Sequence, residues 1–285
     1  MENRIIRGKL ILIGLALAAV VLAASAAAST PQSIVASLNH QRVENGIPGG
    51  IVLNRAWTVG CEHHIRYEEL NGIPWTHVET PGKPGFTKDG QLAGIDGDQQ
   101  SGLGSFDGGN PFENLPLHLA NLLAPTLHEI GAFESGGRTC IVVAGGLARQ
   151  FKVDQLFSYP GPGRAGVPSS QRVHGEWPAS PGDVVGLPQG TTTGPTIYVY
   201  AEGPWVFAEA PLEIGSAHVI GPGGPVAIRV VDPRKHAKIG PYTPPGCFFL
   251  IPVSPLRSGS TYRVDVTIRS KHGTTLSKHW QFRTA

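Results

Sequence analysis

The sequence lacks an excess of charge of either sign. Its 285 residues include 23 Lys and Arg against 21 Asp and Glu. Three of these basic residues and one acidic residue lie within the first ten positions, so residues 29–285 carry twenty of each sign. A net charge near zero gives no general electrostatic reason to bind nucleic acid or anionic lipid. We therefore expect no nucleic-acid partner.

Common catalytic signatures are missing as well. The sequence has no G-x-S-x-G, no P-loop and no G-x-G-x-x-G after a predicted strand, and the adjacent His63 and His64 belong to no H-E-x-x-H motif. The stretch 96–107 has the first ligand positions of an EF-hand. It lacks the glycine at position six and the glutamate at position twelve. We interpret it as a glycine-rich surface loop.

Cysteine is scarce and odd in number, with Cys61, Cys140 and Cys247 only. An oxidising compartment permits one disulfide and one remaining thiol, or no disulfide, and the sequence does not select a pair. Cys61 and Cys140 have no surrounding signature of a nucleophile, so we expect core or disulfide residues.

What the sequence does contain begins with an export signal. Three basic residues within positions 4–9 precede an apolar run over 10–22, and small residues follow up to position 28. This order is typical of a signal peptide, with cleavage expected after Ala28. The alternative is an uncleaved membrane anchor, since the run approaches the length of a membrane span. No second apolar run follows, so we expect a secreted or envelope-associated protein that is otherwise soluble.

Helical patterns dominate up to about residue 155. The apolar spacing predicts helices over 33–46, 54–72 and 113–125, with Ser33 as the N-cap of the first. Two strands joined by a turn follow in 126–135 and 138–146. Between the second and third helices lies a glycine-rich connection, residues 72–110. We expect a long loop there, either functional or wrapped on the surface.

Strand patterns dominate after a Gly- and Pro-rich linker at 158–171. Short segments rich in β-branched and aromatic residues alternate with breakers, which predicts an all-β sandwich. Period-two alternation is clearest in 261–268, where Tyr262 and Ile268 begin and end one face. The predicted strands lie within residues 196–203, 204–214, 224–232, 246–254, 260–270 and 277–284.

The first part of the chain resembles the CAP superfamily, also called the SCP domain, of cysteine-rich secretory, antigen 5 and pathogenesis-related proteins. The pattern L-N-x-x-R-x-x-x-G occurs at 38–46, and N-G ends the second predicted helix at 71–72. A histidine follows at His77, P-x-H occurs at 116–118, and I-G occurs at 130–131. The resemblance implies a three-layer α–β–α sandwich with a shallow cleft.

By position, the resemblance makes His77 and His118 the two cleft histidines. Some members of the family bind a divalent cation there, and neutral imidazole nitrogens suit zinc or a similar ion. The G-E-N motif that supplies a cleft glutamate is missing, and Asp96 and Asp98 stand in its place. The alternative is that both histidines only form hydrogen bonds within the cleft wall.

The second part resembles bacterial Ig-like modules, whose last strands contain P-L-x-x-x-T-Y-x-V-x-V followed by W-x-F-x-T. In this chain P-L at 255–256 is followed, after four residues rather than three, by T-Y-x-V-x-V at 261–266, and W-x-F-x-T occurs at 280–284. We expect the Tyr262 hydroxyl to bond back to the preceding loop. Trp280 and Phe282 should both face the core.

Together these observations predict an α+β protein. It comprises a signal peptide (1–28), a CAP-like domain (33–152) and an Ig-like β-sandwich (155–285). The expected function is non-enzymatic binding of an extracellular lipid, glycan or wall component, with the Ig-like part as spacer or adhesion surface. One alternative is a secreted metal-dependent hydrolase that uses His77 and His118 as ligands, with Asp96 or Asp98 activating water. Another is a purely structural envelope module.

Overall fold

A computed structural model describes residues 29–205 and 211–285. The predicted signal peptide and part of the predicted strand 204–214 lie outside these residues. The described chain contains both helices and several separate sheets, which confirms the α+β class. The division into a CAP-like and an Ig-like domain stays a prediction.

The first half of the chain contains α1 (Pro31–Glu44), α2 (Arg55–Asn71), α3 (Lys88–Asp96) and α4 (Pro116–Leu123). The N-cap prediction for α1 was wrong by one turn, because the Thr30 hydroxyl accepts the N–H of Ser33 at 3.1 Å. Pro31, whose missing N–H costs nothing at a helix start, occupies the first turn. Helix α2 ends as expected at Gly72, which has a left-handed conformation.

The expectation of a loop over 72–110 was wrong. This segment contains α3 and strand β2 (Gly97–Ser101). Asp98 and its two following glutamines are buried in this strand, so only the later part of 96–107, where 102–104 are exposed, is a surface loop. The sequence pattern did not indicate this strand, because none of its residues is β-branched, aromatic or aliphatic. Its stability comes instead from antiparallel pairing with β4 (Arg138–Val142), which runs from Gly97 to Ser101 of β2.

The first sheet contains β1 (Val52–Leu53), β2, β3 (Glu129–Ser135) and β4 (Arg138–Val142), in the order β1-β3-β4-β2. Helices cover both of its faces. On one face Cys61 and Ile65 of α2 pack with Cys140 and Val142. On the other face apolar side chains of α1 and α4 pack against β3 and β4.

The second half forms two four-stranded sheets. One contains β5 (Gln155–Tyr159), β8 (Ile197–Glu202), β11 (Ile228–Val231) and β12 (Cys247–Pro252), ordered β11-β12-β8-β5. The other contains β9 (Leu212–Gly221), β10 (Gly224–Pro225), β13 (Thr261–Ser270) and β14 (Thr275–Arg283), ordered β10-β9-β13-β14. The short strands β6 (Gln171–Arg172) and β7 (Thr192–Thr193) pair separately.

Three details predicted for this half are confirmed. The alternating residues of β13 from Tyr262 to Ile268 are all buried. The Tyr262 hydroxyl accepts the N–H of Arg257, in the preceding loop, at 2.6 Å. Trp280 and Phe282 both lie in the core between the two sheets.

The sheet β11-β12-β8-β5 lies between the helices of the first half and the second sheet of the sandwich, and we call it the middle sheet. It is buried on both of its faces. In β8, Ile197 and Val199 face the second sheet of the sandwich, whereas Tyr198 and Tyr200 belong to the core that contains α1 and α4. The Tyr200 hydroxyl donates to the carbonyl of Ala120 in α4, at 3.1 Å. One continuous hydrophobic core therefore crosses the predicted domain boundary.

Two further features concern the cysteines and the length of the helices. Cys61 and Cys140 form a disulfide between α2 and β4, and Cys247 is a buried free thiol. No helix within the described residues combines the length and hydrophobicity that a membrane span requires.

Candidate functional site

His118 lies in the first turn of α4, and a distant carboxylate holds it there. The Glu176 side chain is fully buried, and its Oε2 atom accepts the N–H groups of Leu117 and His118 at 2.8 and 3.3 Å. The same oxygen lies 3.0 Å from His118 Nδ1. Leu115, the residue before the helix, offers no side-chain cap. Glu176 therefore caps α4 from 58 residues away and orients the His118 ring.

This contact also sets the charge of His118. Burial alone would lower the pKa of the imidazole. The hydrogen bond from Glu176 and the negative charges of Asp98 and Glu176 outweigh burial, so the His118 pKa is raised. Because the carboxylate accepts the Nδ1 proton, Nε2 is the nitrogen available for another contact.

His77 lies beside His118 in the segment between α2 and α3. Its Nδ1 atom donates to the carbonyl of Gly94 at 2.7 Å, and its buried Nε2 atom has no hydrogen-bond partner among the described residues. Burial lowers the His77 pKa, and the nearby rings of His118 and His64 lower it further. At neutral pH the ring is neutral, and Nε2 is an unused acceptor.

The two aspartates named from the sequence both line the same cleft, but in different environments. Asp98, on β2, is buried, and its Oδ1 atom accepts from Asn121 at 3.3 Å. Its Oδ2 atom is buried without a partner in the described part of the chain. Burial raises the pKa of Asp98 to about 7, against the opposing charge of His118. Asp96 ends α3 and is exposed at the rim.

The cleft has a volume of about 480 Å³. One wall comes from the first half of the chain and includes His77, Asp98 and His118. The other comes from the second half and includes Trp177 and Tyr242. A second cavity of about 180 Å³ adjoins it, and His118 and Trp177 contribute to both. The site is thus composite, built at the junction of the two predicted domains.

Sequence reasoning missed Glu176, Trp177 and Tyr242. Glu176 and Trp177 lie just after residues 158–171, which were interpreted as a linker. The chain that follows this segment packs back against the first half, where Glu176 contacts α4. Two backbone hydrogen bonds join the ends of the loop 173–191. The N–H of Val173 donates to the carbonyl of Thr191 at 2.9 Å, and the N–H of Gly190 donates to the carbonyl of Val173 at 2.8 Å. The run of His, Glu and Trp at 174–177 was the available signal, since such residues rarely cluster in a spacer.

As the side chains are placed in the described residues, they do not converge on a common metal position. Within the described residues no group of three His, Cys, Asp or Glu side chains is placed to hold one. The rings of His77 and His118 are nearly parallel, with centroids 6.5 Å apart. Two imidazoles on one tetrahedral zinc, with Zn–N bonds of about 2.0–2.1 Å, place their centroids closer together than this.

A second buried polar cluster lies behind the cleft, around His64. The His64 ring is fully buried, with Nδ1 3.0 Å from Glu79 Oε1 and Nε2 2.8 Å from the carbonyl of Thr76. Glu68, also buried, accepts the N–H of Thr76, and burial raises its pKa to about 7. The cluster fixes the segment that carries His77.

Comparison with known proteins adds no family. No protein-family model matches the chain, and no curated protein matches it. Among solved structures, PcoC, a methionine-rich copper resistance protein from Escherichia coli, aligns with a TM-score of 0.27 at 18% identity. The alignment covers 45% of this chain and 93% of PcoC. Its selenomethionine form gives a TM-score of 0.25 at 18% identity, with 45% and 95% coverage. Similarity at this level carries no argument about fold or function.

Proposed function

We propose that the chain is an exported, CAP-like binding protein that holds an extracellular ligand in the composite cleft without chemical conversion. The observation that carries this proposal is a pair of buried polar atoms at the cleft that have no partner in the described part of the chain, His77 Nε2 and Asp98 Oδ2. Buried polar groups are nearly always hydrogen-bonded, so a cleft that contains two unpaired ones is suited to a ligand that pairs them.

Export is part of the same proposal. It is supported by the order of basic, apolar and small residues in 1–28 and by the disulfide between Cys61 and Cys140. Disulfides persist in oxidising compartments and are rare in the cytosol. The Ig-like half would serve as more than a spacer, because it supplies one wall of the cleft.

A direct binding experiment tests the proposal. The chain from residue 29 onward is titrated with phosphatidylcholine vesicles, a hexamer of β-1,4-linked N-acetylglucosamine and solubilised peptidoglycan. Tryptophan fluorescence and calorimetry report binding. We expect at least one probe to bind, and the His77→Ala/Asp98→Ala double variant to bind it about tenfold or more weakly, since one lost charged hydrogen bond is worth that much.

The matched control is His40→Ala, which changes a histidine whose side chain is 75% exposed and lines neither cavity. It should bind as the unchanged protein does. Failure of all three probes to bind, or equal binding by the double variant, would overturn the proposal.

The rival function is a metal-dependent hydrolase with His77 and His118 as ligands. One observation favours it: both histidines are oriented through Nδ1, by a carbonyl and a carboxylate, as metal-bound histidines usually are. Elemental analysis of the purified chain decides between the two functions. Stoichiometric metal, lost in a His77→Ala/His118→Ala variant together with hydrolysis of a model ester, would support the rival.

A further inference from the structure

Exposed aromatic rings are concentrated along this one face. Only three aromatic side chains are prominently exposed among the large apolar residues of the described chain: Trp75 (45%), Trp177 (45%) and Tyr242 (43%). With His77 they form a row. The ring centroids are 6.0 Å apart from Trp75 to His77, 4.9 Å from His77 to Trp177, and 5.0 Å from Trp177 to Tyr242.

The row runs through both cavities. Trp75 lines the smaller cavity, Tyr242 lines the larger one, and Trp177 lines both. A ligand that covers the whole row must therefore be extended, with flat apolar surfaces repeated along its length. A compact molecule would fill one cavity and leave the aromatic ring at the other end in water.

The smaller cavity adds polar groups beside the rings. Ser101, His174 and Gln189 line it, and none of their side chains forms a hydrogen bond with the described protein. A hydroxyl, an imidazole and an amide can each donate and accept, so together they suit a ligand rich in hydroxyl or amide groups. A lipid chain would leave all three unpaired.

The charges near the row exclude acidic ligands. No Lys or Arg lines either cavity in the described chain, whereas Asp96 and Asp98 line the larger one. A polyanion would meet like charge, and His118, which lines both cavities, is already paired with Glu176. The ligand is accordingly not an acidic one.

We infer that the row binds an uncharged polysaccharide of β-linked pyranose units, as an extended chain across both cavities. Pyranose rings present flat C–H faces that stack on aromatic side chains, and their hydroxyl and N-acetyl groups pair with exposed polar side chains. This inference rests on the proposed function, because the larger cavity is the same cleft. It selects the glycan from the ligand classes that the proposed function allows.

Chain length and single aromatic residues provide the test. The chain from residue 29 onward is titrated with β-1,4-linked N-acetylglucosamine dimer, tetramer and hexamer, followed by calorimetry. Affinity should rise with length, and the hexamer should bind at least about tenfold more weakly to Trp75→Ala and to Tyr242→Ala. The effect of either variant should be smaller on the dimer, which spans only part of the row. Trp177→Phe, which keeps a stacking ring, should retain most of the affinity.

Val153→Ala is the matched control, since Val153 is 69% exposed and lines neither cavity. An alginate hexamer, as a polyanionic probe, should not bind. Three results overturn the inference: equal affinity for dimer and hexamer, unchanged hexamer binding in both aromatic variants, or tighter binding of alginate. If the hexamer does not bind but vesicles do, this inference fails and the proposed function stands. If no probe binds, both fail.

Discussion

Among the residues of the cleft, Asp98 carries a negative charge that its buried position disfavours. Its carboxyl is buried, and burial raises its pKa from the usual 3.8 to about 7. An acid whose pKa is higher in the folded state binds more protons there than in the unfolded chain. Stability therefore falls as the pH rises from about 4 to about 7, and it stays low above that range. Asp98 is kept at a cost in stability, which is typical of binding sites.

Replacing Asp98 with asparagine should remove that cost. Each unit of pKa difference corresponds to about 1.4 kcal/mol, so we expect Asp98→Asn to be more stable than the unchanged chain at pH 8 by one to several kcal/mol. The gain should shrink toward zero at a pH of about 3, where the carboxyl is mostly protonated in both states. Urea unfolding at the two pH values measures the difference in the free energy of unfolding between the variant and the unchanged chain. A difference that does not depend on pH would contradict the explanation.

The residues that carry the CAP resemblance are mostly structural. Asn39 pairs with both backbone groups of Ile51, and Asn71 donates to the carbonyls of Tyr67 and Pro84. The buried Arg42 guanidinium donates to backbone carbonyls, among them those that end α4, and burial lowers its pKa to about 9. These motif residues hold loops and the end of α4, and none of the three lines either cavity.

At the level of elements, α4 depends on a cap that comes from another part of the chain. Glu176→Gln keeps an oxygen that can accept the two helix N–H groups but removes the negative charge. We expect the His118 pKa to fall, because that charge helps to raise it. Burial also raises the pKa of Glu176, so relief of the desolvation cost offsets the weaker hydrogen bonds, and stability should change by no more than about 1 kcal/mol. NMR titration of the His118 ring measures the first effect, and an unchanged pKa would show that Glu176 does not set the charge.

Helix α3 offers a second test, at Gly94. Alanine usually stabilises a helix by about 1 kcal/mol relative to glycine. Here an added methyl group would lie 2.5 Å from Cε1 of the buried His64 ring, and the carbonyl of the same residue orients His77. We therefore expect Gly94→Ala to lower the urea midpoint and to weaken ligand binding. Leu92→Ala, on the exposed side of α3, is the control. A stabilised Gly94→Ala variant would refute the close packing.

The elements that sequence patterns predicted correctly are those whose stability is local or strongly periodic. Strand β13 alternates clearly, and α2 has both its N-cap and its terminal glycine in sequence. Strand β2 has neither feature, since its polar residues are buried by neighbours that are distant along the chain. The pairing that defines it, along β4, cannot be inferred from a local window.

For the whole molecule, the central consequence is that two predicted domains share one core. Tyr198 and Phe249 of the middle sheet pack in the same cluster as Leu119 and Leu122 of α4. We expect the chain from residue 29 onward to unfold in one cooperative transition, with circular dichroism and fluorescence melts that coincide. The isolated 155–285 fragment should bind a hydrophobic dye, because that face of the sheet would be uncovered. Two separate transitions would contradict this prediction.

The same packing explains why the sequence predicted only the site residues that come from the first half of the chain. His77, His118 and Asp98 were found because they lie in or near recognisable motifs. Trp177, Glu176 and Tyr242 reach the cleft only after the second half folds onto the first. No spacing along the chain encodes that approach.

Cys247 lies at the centre of this packing, beside Tyr200, and burial raises its pKa well above the usual value. Thiol reagents attack the thiolate, so the intact protein should react very slowly. Each modification event would then require the middle sheet to separate from α4. Because Cys61 and Cys140 are joined to each other, Cys247 is the one thiol that a reagent can label. Its labelling rate therefore measures how often this sheet separates from α4.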